Sequence, residues 1–134
     1  ESFSFLTSSL IIFGVLSFFK KTCISSSNNS KTVLTYGHGD VIRGQEELWR
    51  EGLTPWIVTG EDDKIYGRGT ADNKGQHTVN IGALQSVLMT RGNLGFNSKV
   101  IIETGEESGS PGLAEFATKN KNLLSSDVLI SSDG

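Results

Sequence analysis

Two adjacent glutamates, Glu106 and Glu107, follow an apolar run in the segment ETGEESGS at residues 103–110. Neighbouring carboxylates repel each other and raise one another's pKa, so such a pair becomes favourable when a cation neutralises it. One carboxylate can then bind a metal ion while the other faces a substrate as a general base. A solvated acidic turn is the alternative that these residues leave open.

His38 and Asp40, in the segment YGHGD, are the second candidate pair. Residues two apart in an extended chain point to the same side. A neutral imidazole binds zinc through one nitrogen, and its other N–H needs an acceptor that fixes the ring. Asp40 can be that acceptor or can assist a catalytic base. A loop histidine beside a solvated aspartate is the alternative reading.

Two further aspartates stand next to predicted elements. Asp72, in YGRGTADNKG, comes just before a long predicted helix, where it is either an N-cap or a carboxylate that bridges two cations. A phosphate-binding loop is disfavoured because the Lys-Ser/Thr ending of a P-loop is missing. Asp133, in ISSDG, follows the last predicted strand and is either a turn residue or a further metal ligand.

The charge balance agrees with an acidic site. The chain has 134 residues, 15 acidic and 12 basic side chains, and a net charge of −3. Without the five candidate acids the remaining charge would be slightly positive, so the acidic excess lies in the candidate site. This balance gives no reason to expect nucleic acid as a partner. The lone Cys23 excludes an internal disulfide and favours a reducing, cytoplasmic compartment.

Alternating strands and helices are expected to position these residues. Gly92 indicates the end of a long helix with regularly spaced apolar residues. Ser110 followed by Pro111 predicts the start of the next helix. The predicted elements are a strand at 32–36, a hairpin within 56–69, a helix at 73–91, a strand at 99–103, a helix from 110 to about 121, and a strand at 127–131. This order predicts an α/β fold, a layered sheet with mostly parallel central strands flanked by helices. The candidate residues would meet at the carboxyl edge of that sheet.

Residues 1–30 differ in composition and stay unassigned. The apolar run Leu10–Phe19 is too short to span a bilayer, which takes roughly 20 residues. A signal-peptide core would follow positive charge, whereas Lys20 and Lys21 come after this run. We expect a buried strand or helix here, with a signal segment as the alternative, and a linker over Ser25–Lys31. Residues 31–134 form the second region.

Four segments taken together resemble the successive motifs of the co-catalytic zinc peptidase and deacylase family, in matching order and spacing: YGHGD, YGRGTADNKGQ, ETGEESGSPGL and LISSDG. That family includes acetylornithine deacetylase, succinyl-diaminopimelate desuccinylase, glutamate carboxypeptidase, aminoacylase and carnosinase. The resemblance implies a cis peptide bond after Asp72. It also implies that His38 and Asp133 bind the first zinc ion, that Asp72 bridges both ions and that Glu107 binds the second ion. Glu106 would be the general base, and Asp40 would support the site.

The resemblance further implies the activity and the context of the chain. The expected activity is hydrolysis of amide bonds in small peptides or N-acyl amino acids, with two zinc ions that cobalt or manganese can replace. Residues 31–134 would be the N-terminal part of the catalytic domain, without the lid and dimerisation domain and the remaining catalytic half. The full-length parent could form a homodimer through the missing lid domain, and no membrane is expected as a partner.

The chain departs from that family at two points. The second zinc ion has a distal histidine in the family, but the other histidine here, His77, lies one turn into the long helix and is interpreted as a packing or surface residue. The proline that usually follows the H-x-D motif in that family is also absent, and the segment VIRG, residues 41–44, stands in its place. These departures leave open a catalytically inactive fragment with a partial metal site. A two-metal phosphoesterase is the other alternative, because His/Asp clusters at strand ends serve in such enzymes as well, although their sites usually need more histidines.

Overall fold

A computed structural model describes the backbone of residues 20–24 and both backbone and side chains of residues 31–133. The predicted apolar segment Leu10–Phe19 and residues 25–30 of the predicted linker lie outside the described residues. The elements are β1 (Lys20–Ile24), β2 (Thr32–His38), β3 (Thr59–Glu61), β4 (Lys64–Tyr66), α1 (Lys74–Arg91), β5 (Asn97–Glu103), α2 (Leu113–Lys119), α3 (Lys121–Leu124) and β6 (Val128–Ser131). Short 3₁₀ turns occupy Glu46–Leu48 and Glu106–Ser108.

The main sheet has four strands in the order β1-β5-β2-β6. Both pairs that involve β2 are parallel, and β1 runs antiparallel to β5 at one side of the sheet. Leu34 of β2 and Ile101 of β5 are buried and belong to the core. The predicted α/β fold with parallel central strands is therefore confirmed, whereas strand β1 was not predicted.

The parallel arrangement brings the ends of three strands to one edge. His38 pairs in register with Glu103, and Tyr36 pairs with Ser131. The polar segments that follow β2, β5 and β6 consequently meet at this edge, as the sequence predicts. At the opposite edge Asp127 ties β6 to β2, because its carboxylate accepts the Thr32 N–H at 2.8 Å.

Helix α1 and the hairpin agree with their predicted positions. Gly92 ends α1 in a left-handed conformation with φ 72°, which glycine adopts without strain. Strands β3 and β4 form the predicted hairpin. No residue of α1 is buried, although its apolar residues recur at helical spacing. Val79 and Met89 are 71% and 79% exposed. On the side of α1 that faces the sheet, apolar Leu84 and polar His77 and Asn80 line a small cavity together with Val100 and Ile102 of β5.

The predicted start of the next helix at Ser110 was wrong. Ser110 has φ 53°, a left-handed conformation, and its hydroxyl donates to Glu103 rather than accepting an N–H of the helix. Helix α2 begins at Leu113, after Gly112, and a break at Asn120 separates it from α3. Within residues 20–24 and 31–133 no helix combines the length and the apolar character that crossing a bilayer requires.

Candidate metal centre

His38 lies at the end of β2 and forms the centre of the site, with only 1% of its side chain exposed. Its Nδ1 is 3.1 Å from the Asp40 carbonyl oxygen. A carbonyl oxygen only accepts hydrogen bonds, so this contact assigns the proton to Nδ1. In the neutral ring, Nε2 therefore presents its lone pair to the carboxylates on its other side.

The side chains of Asp72 and Asp133, from distant parts of the chain, approach Nε2 of His38. The distance from Nε2 is 3.1 Å to Asp72 Oδ1 and 3.8 Å to Asp133 Oδ1. The ligand atoms of these three residues all lie within 4.8 Å of one another. Glu106 Oε2 is 3.9 Å from the same nitrogen. Glu107 does not belong to this three-residue group, and its backbone N–H rather than its side chain contacts the site, through Asp40.

The protonation of His38 reflects this crowding by carboxylates. Burial lowers the pKa of His38, but the hydrogen bond to Asp72 and the charges of Asp40 and Asp133 outweigh burial. The net result is a raised pKa. A proton on Nε2 thus occupies the place between imidazole and carboxylates where a cation would also be favourable.

Asp72 reaches His38 from the turn before α1, and its side chain is 64% exposed. The alternative of an N-cap is wrong, since the cap position is held by Asn73 and no side chain caps the helix. The peptide bond between Asp72 and Asn73 is cis, as the resemblance implies. Asn73 is fully buried, and its amide donates to the Ser132 carbonyl at 2.7 Å. Asn73 was not among the predicted site residues.

Asp40 joins the His38 loop to the glutamate turn. Its Oδ1 accepts the Glu106 N–H at 3.2 Å and its Oδ2 accepts the Glu107 N–H at 3.0 Å. Oδ1 also lies 3.4 Å from His38 Nδ1. One carboxylate therefore orients the imidazole and the backbone that carries both glutamates. The sequence predicts support for His38 but gave no sign of the contacts to the glutamate turn.

The carboxylate of Glu106 lies among other acids. Desolvation is the largest cause that raises the pKa of Glu106. The positive charge of His38 opposes this shift, and the carboxylates of Asp133, Glu107 and Asp40 add to it. A carboxylate whose pKa is moved towards neutrality is better suited to accept and release a proton.

A buried carboxylate behind the site was missed by sequence reasoning. Glu103, only 2% exposed, accepts hydrogen bonds from the hydroxyls of Tyr36 and of Ser110, the latter at 2.7 Å. Burial, and then the bond to Glu103, raises the pKa of Tyr36. The three side chains connect β2, β5 and the end of the glutamate turn. The available signal was a charged residue at the end of the apolar strand KVIIE.

Residues 34–132 match the model of peptidase family M20/M25/M40. This match covers most of the chain, and the chain therefore belongs to that family.

Two curated relatives and one solved structure illustrate the similarity. The chain is 38% identical over 108 residues to a Beta-Ala-His dipeptidase of Homo sapiens, covering 78% of this chain and 20% of the relative. It is 33% identical over 108 residues to a cysteinylglycine-S-conjugate dipeptidase of Corynebacterium striatum, covering 79% and 23%. The crystal structure of an M20 family metallo-carboxypeptidase from Sulfolobus solfataricus superposes with a TM-score of 0.77 at 33% identity, covering 87% and 26%. The chain thus spans about a quarter or less of the length of these relatives.

Proposed function

We propose that this chain forms part of a metal-dependent hydrolase that cleaves amide bonds in small peptides, of the dipeptidase or carboxypeptidase type, or in N-acyl amino acids. In this proposal zinc is the native ion, and cobalt or manganese replaces it. Dipeptidases and a carboxypeptidase among the similar proteins support the substrate class.

The convergence of His38, Asp72 and Asp133 carries the proposal. One imidazole nitrogen and two carboxylate oxygens are a donor set that zinc accepts. The Nδ1 contact with Asp40 directs the Nε2 lone pair towards both carboxylates. Without a cation or a proton between them these groups would repel one another, so the residues fit a divalent ion.

The residues around the ion site have separate tasks in the proposed reaction. A divalent cation at this position supplies Lewis acidity, which polarises a scissile carbonyl and acidifies water. Glu106 accepts a proton from the attacking water and transfers it to the leaving amine, so that a carboxylic acid and an amine are formed. The Asp40 carboxylate holds Glu106 in place by accepting a hydrogen bond from the Glu106 backbone N–H. The raised pKa of Glu106 supports both proton transfers.

A second ion is part of the proposal. Asp72 contacts His38 through Oδ1, and its exposed side chain leaves Oδ2 as a donor for a neighbouring cation. Glu107 is the other donor that we assign to this second ion. Its backbone is held beside Glu106 by Asp40. A bridging carboxylate between two ions is a common arrangement in two-metal hydrolases.

The experiment is a metal-dependent hydrolysis assay on the purified protein. After chelation, the protein is supplied with zinc, cobalt or manganese and offered β-alanyl-histidine, cysteinyl-glycine, N-acetyl and N-succinyl amino acids, with release of the free amine as the readout. A phosphate monoester tests the phosphoesterase alternative. Hydrolysis of an amide only with added metal supports the proposal. Tight metal binding without hydrolysis of any amide would refute it and favour the inactive alternative, which the comparisons do not prefer.

The context of the protein is proposed with the activity. We place residues 31–134 in the N-terminal part of a catalytic domain, whose sheet also includes strand β1 from residues 20–24, and the parent enzyme in the cytoplasm as a homodimer. Light scattering of the full-length parent tests the dimer, and cell fractionation tests the compartment.

A further inference from the structure

Polar side chains on one face of α1 connect this helix to the metal-site edge of the sheet. Asn73, His77 and Asn80 are spaced by four and three residues, which places them on one helix face. We call these three residues the polar ridge. Asn80 donates to the Ser132 hydroxyl at 3.0 Å, and Asn73 donates to the Ser132 carbonyl at 2.7 Å. The ridge thus contacts the turn that carries Asp133.

The same ridge holds the backbone of His38 on both sides of its Cα. The His38 N–H donates to Asn73 Oδ1 at 3.0 Å. The His38 carbonyl oxygen is 2.9 Å from His77 Nε2. Because that oxygen can only accept, His77 must carry its proton on Nε2 and donate it. The next amide, Gly39 N–H, donates to the Glu103 carbonyl at 2.8 Å.

These contacts fix the orientation of both peptide planes that flank the Cα of His38. Peptide planes are rigid, so fixing both of them fixes the direction of the Cα–Cβ bond. The imidazole of His38 leaves the backbone along that direction and presents Nε2 to Asp72 and Asp133. Loss of one anchor would let the His38 backbone shift, change the direction of the Cα–Cβ bond and displace Nε2 from the carboxylates.

Gly37 shows how closely the His77 ring fits against strand β2. A Cβ atom added at Gly37 would lie 1.6 Å from His77 Cε1 and 2.6 Å from Asn73 Oδ1. Neither distance is compatible with the observed ring position. The glycine before His38 is therefore required by the presence of an imidazole at position 77.

We propose that His77 is a positioning residue for the metal centre: its Nε2–H anchors the His38 carbonyl and thereby sets the geometry of the His38 imidazole. This inference rests on the metal site of the proposed function and adds a residue to which that function assigns no role. It agrees with the interpretation of His77 as a packing residue and states what the packing achieves.

The first test compares His77→Leu with His77→Gln. Leucine fills a similar volume without a donor, whereas the glutamine Nε2 can occupy a place near that of the histidine Nε2. Zinc affinity is measured by calorimetric titration of the chelator-treated protein, and thermal unfolding is measured without metal. We expect His77→Leu to weaken zinc binding about 10–100-fold, as loss of a residue that orients a ligand typically does. His77→Gln should recover most of that loss.

Met89→Ala, at an exposed position of the same helix, is the matched control and should bind zinc like the wild type. Cobalt adds a spectroscopic readout, since a shifted visible absorption in His77→Leu alone would report altered ligand geometry. Equal zinc affinity of His77→Leu and wild type would overturn the proposal. Equal weakening in the leucine and glutamine variants, in step with their thermal stability, would overturn it as well.

A double-mutant cycle tests the contact with Gly37. Gly37→Ala should weaken zinc binding strongly in the wild type and less in the His77→Ala background, where the ring is gone. The combined loss should therefore be smaller than the product of the two separate losses. A combined loss equal to that product would contradict the proposed contact.

The measurements separate this inference from the proposed function. Zinc titration uses no substrate, so zinc binding that depends on His77 together with no amide hydrolysis would retain the inference and refute the function. Amide hydrolysis together with a zinc affinity that does not depend on His77 would retain the function and refute the inference. A wild-type protein that binds no zinc would refute both.

Discussion

The carboxylate of Asp40 provides the most direct test of how the site is assembled. The substitution Asp40→Asn preserves size and shape, but one of the two oxygens becomes an NH₂ group. Asp40 accepts N–H groups from Glu106 and Glu107, one on each oxygen. The asparagine can accept only one of these, and its NH₂ must face the other donor.

The expected magnitude follows from those two hydrogen bonds. A hydrogen bond to a charged group contributes about 1.5–3 kcal/mol, and a neutral one about 1 kcal/mol. The variant keeps one neutral bond and leaves one N–H unpaired in a site that is 19% exposed at Asp40. We therefore expect the free energy of unfolding to fall by about 2–5 kcal/mol. Because the glutamate turn and the His38 ring lose a shared support, zinc affinity should fall about 10–100-fold.

Urea unfolding of the metal-free protein and calorimetric zinc titration measure the two effects. Asp63→Asn, at an exposed position of the hairpin, is the matched control for the loss of a negative charge. If Asp40→Asn unfolds within about 0.5 kcal/mol of the wild type, as ordinary surface substitutions do, and keeps its zinc affinity, then Asp40 does not hold the glutamate turn.

Three further predictions concern the base, the buried carboxylate and the response to pH. Glu106→Gln should lower kcat for amide hydrolysis about 10²–10⁴-fold while zinc affinity stays the same, because the proposed function makes Glu106 the general base and not a metal ligand. Tyr36→Phe should lower the free energy of unfolding by about 1.5–3 kcal/mol, since Glu103 loses a donor; urea unfolding measures this. The Thr32 N–H is the main cause of the lowered pKa of Asp127. The lowered pKa stabilises the folded protein at pH values above the ordinary pKa of 3.8, and this stabilisation is lost as the pH falls through the folded-state pKa. The difference in the free energy of unfolding between wild type and Asp127→Asn should therefore shrink on acidification.

Each of these predictions has a control and a contradicting result. Glu47→Gln, at an exposed position, should leave kcat unchanged, and an active Glu106→Gln enzyme would exclude Glu106 as the base. Tyr66→Phe is the control for the lost hydroxyl, and equal stability of both phenylalanine variants would show that the bond to Glu103 contributes little. A stability difference for Asp127→Asn that stays constant with pH would contradict the third prediction.

The parallel sheet and the place of the site were predictable because local patterns determine them. The β-branched run before His38, the helix that ends at Gly92 and the apolar strand before Glu103 are signals within a few residues of sequence. Once the strands are parallel, the polar segments after them must meet at one edge. That reasoning brings His38, the glutamate turn and Asp133 to one edge without any knowledge of side-chain conformations, whereas Asp72, which precedes α1, was placed at the site only by the family resemblance.

The missed features depend on contacts between distant residues. Strand β1 has no marked strand pattern of its own and is defined by its pairing with β5. Ser110 looks like a helix cap, but its hydroxyl bonds to buried Glu103 instead. The anchoring of His38 by Asn73 and His77 likewise depends on how α1 lies against β2. A pattern within one segment cannot reveal which partner, from another segment, a polar side chain selects.

The position of β2 between β5 and β6 has a consequence for biosynthesis. β2 emerges from the ribosome early, yet both of its neighbours in the sheet are made much later, and Asp133 comes only after the last strand. Contacts between residues so far apart form slowly, because a long loop must close first. A nascent chain that already displays His38 therefore lacks part of the group formed by His38, Asp72 and Asp133. If the proposed function holds, a metal ion can bind this group only after translation has passed β6.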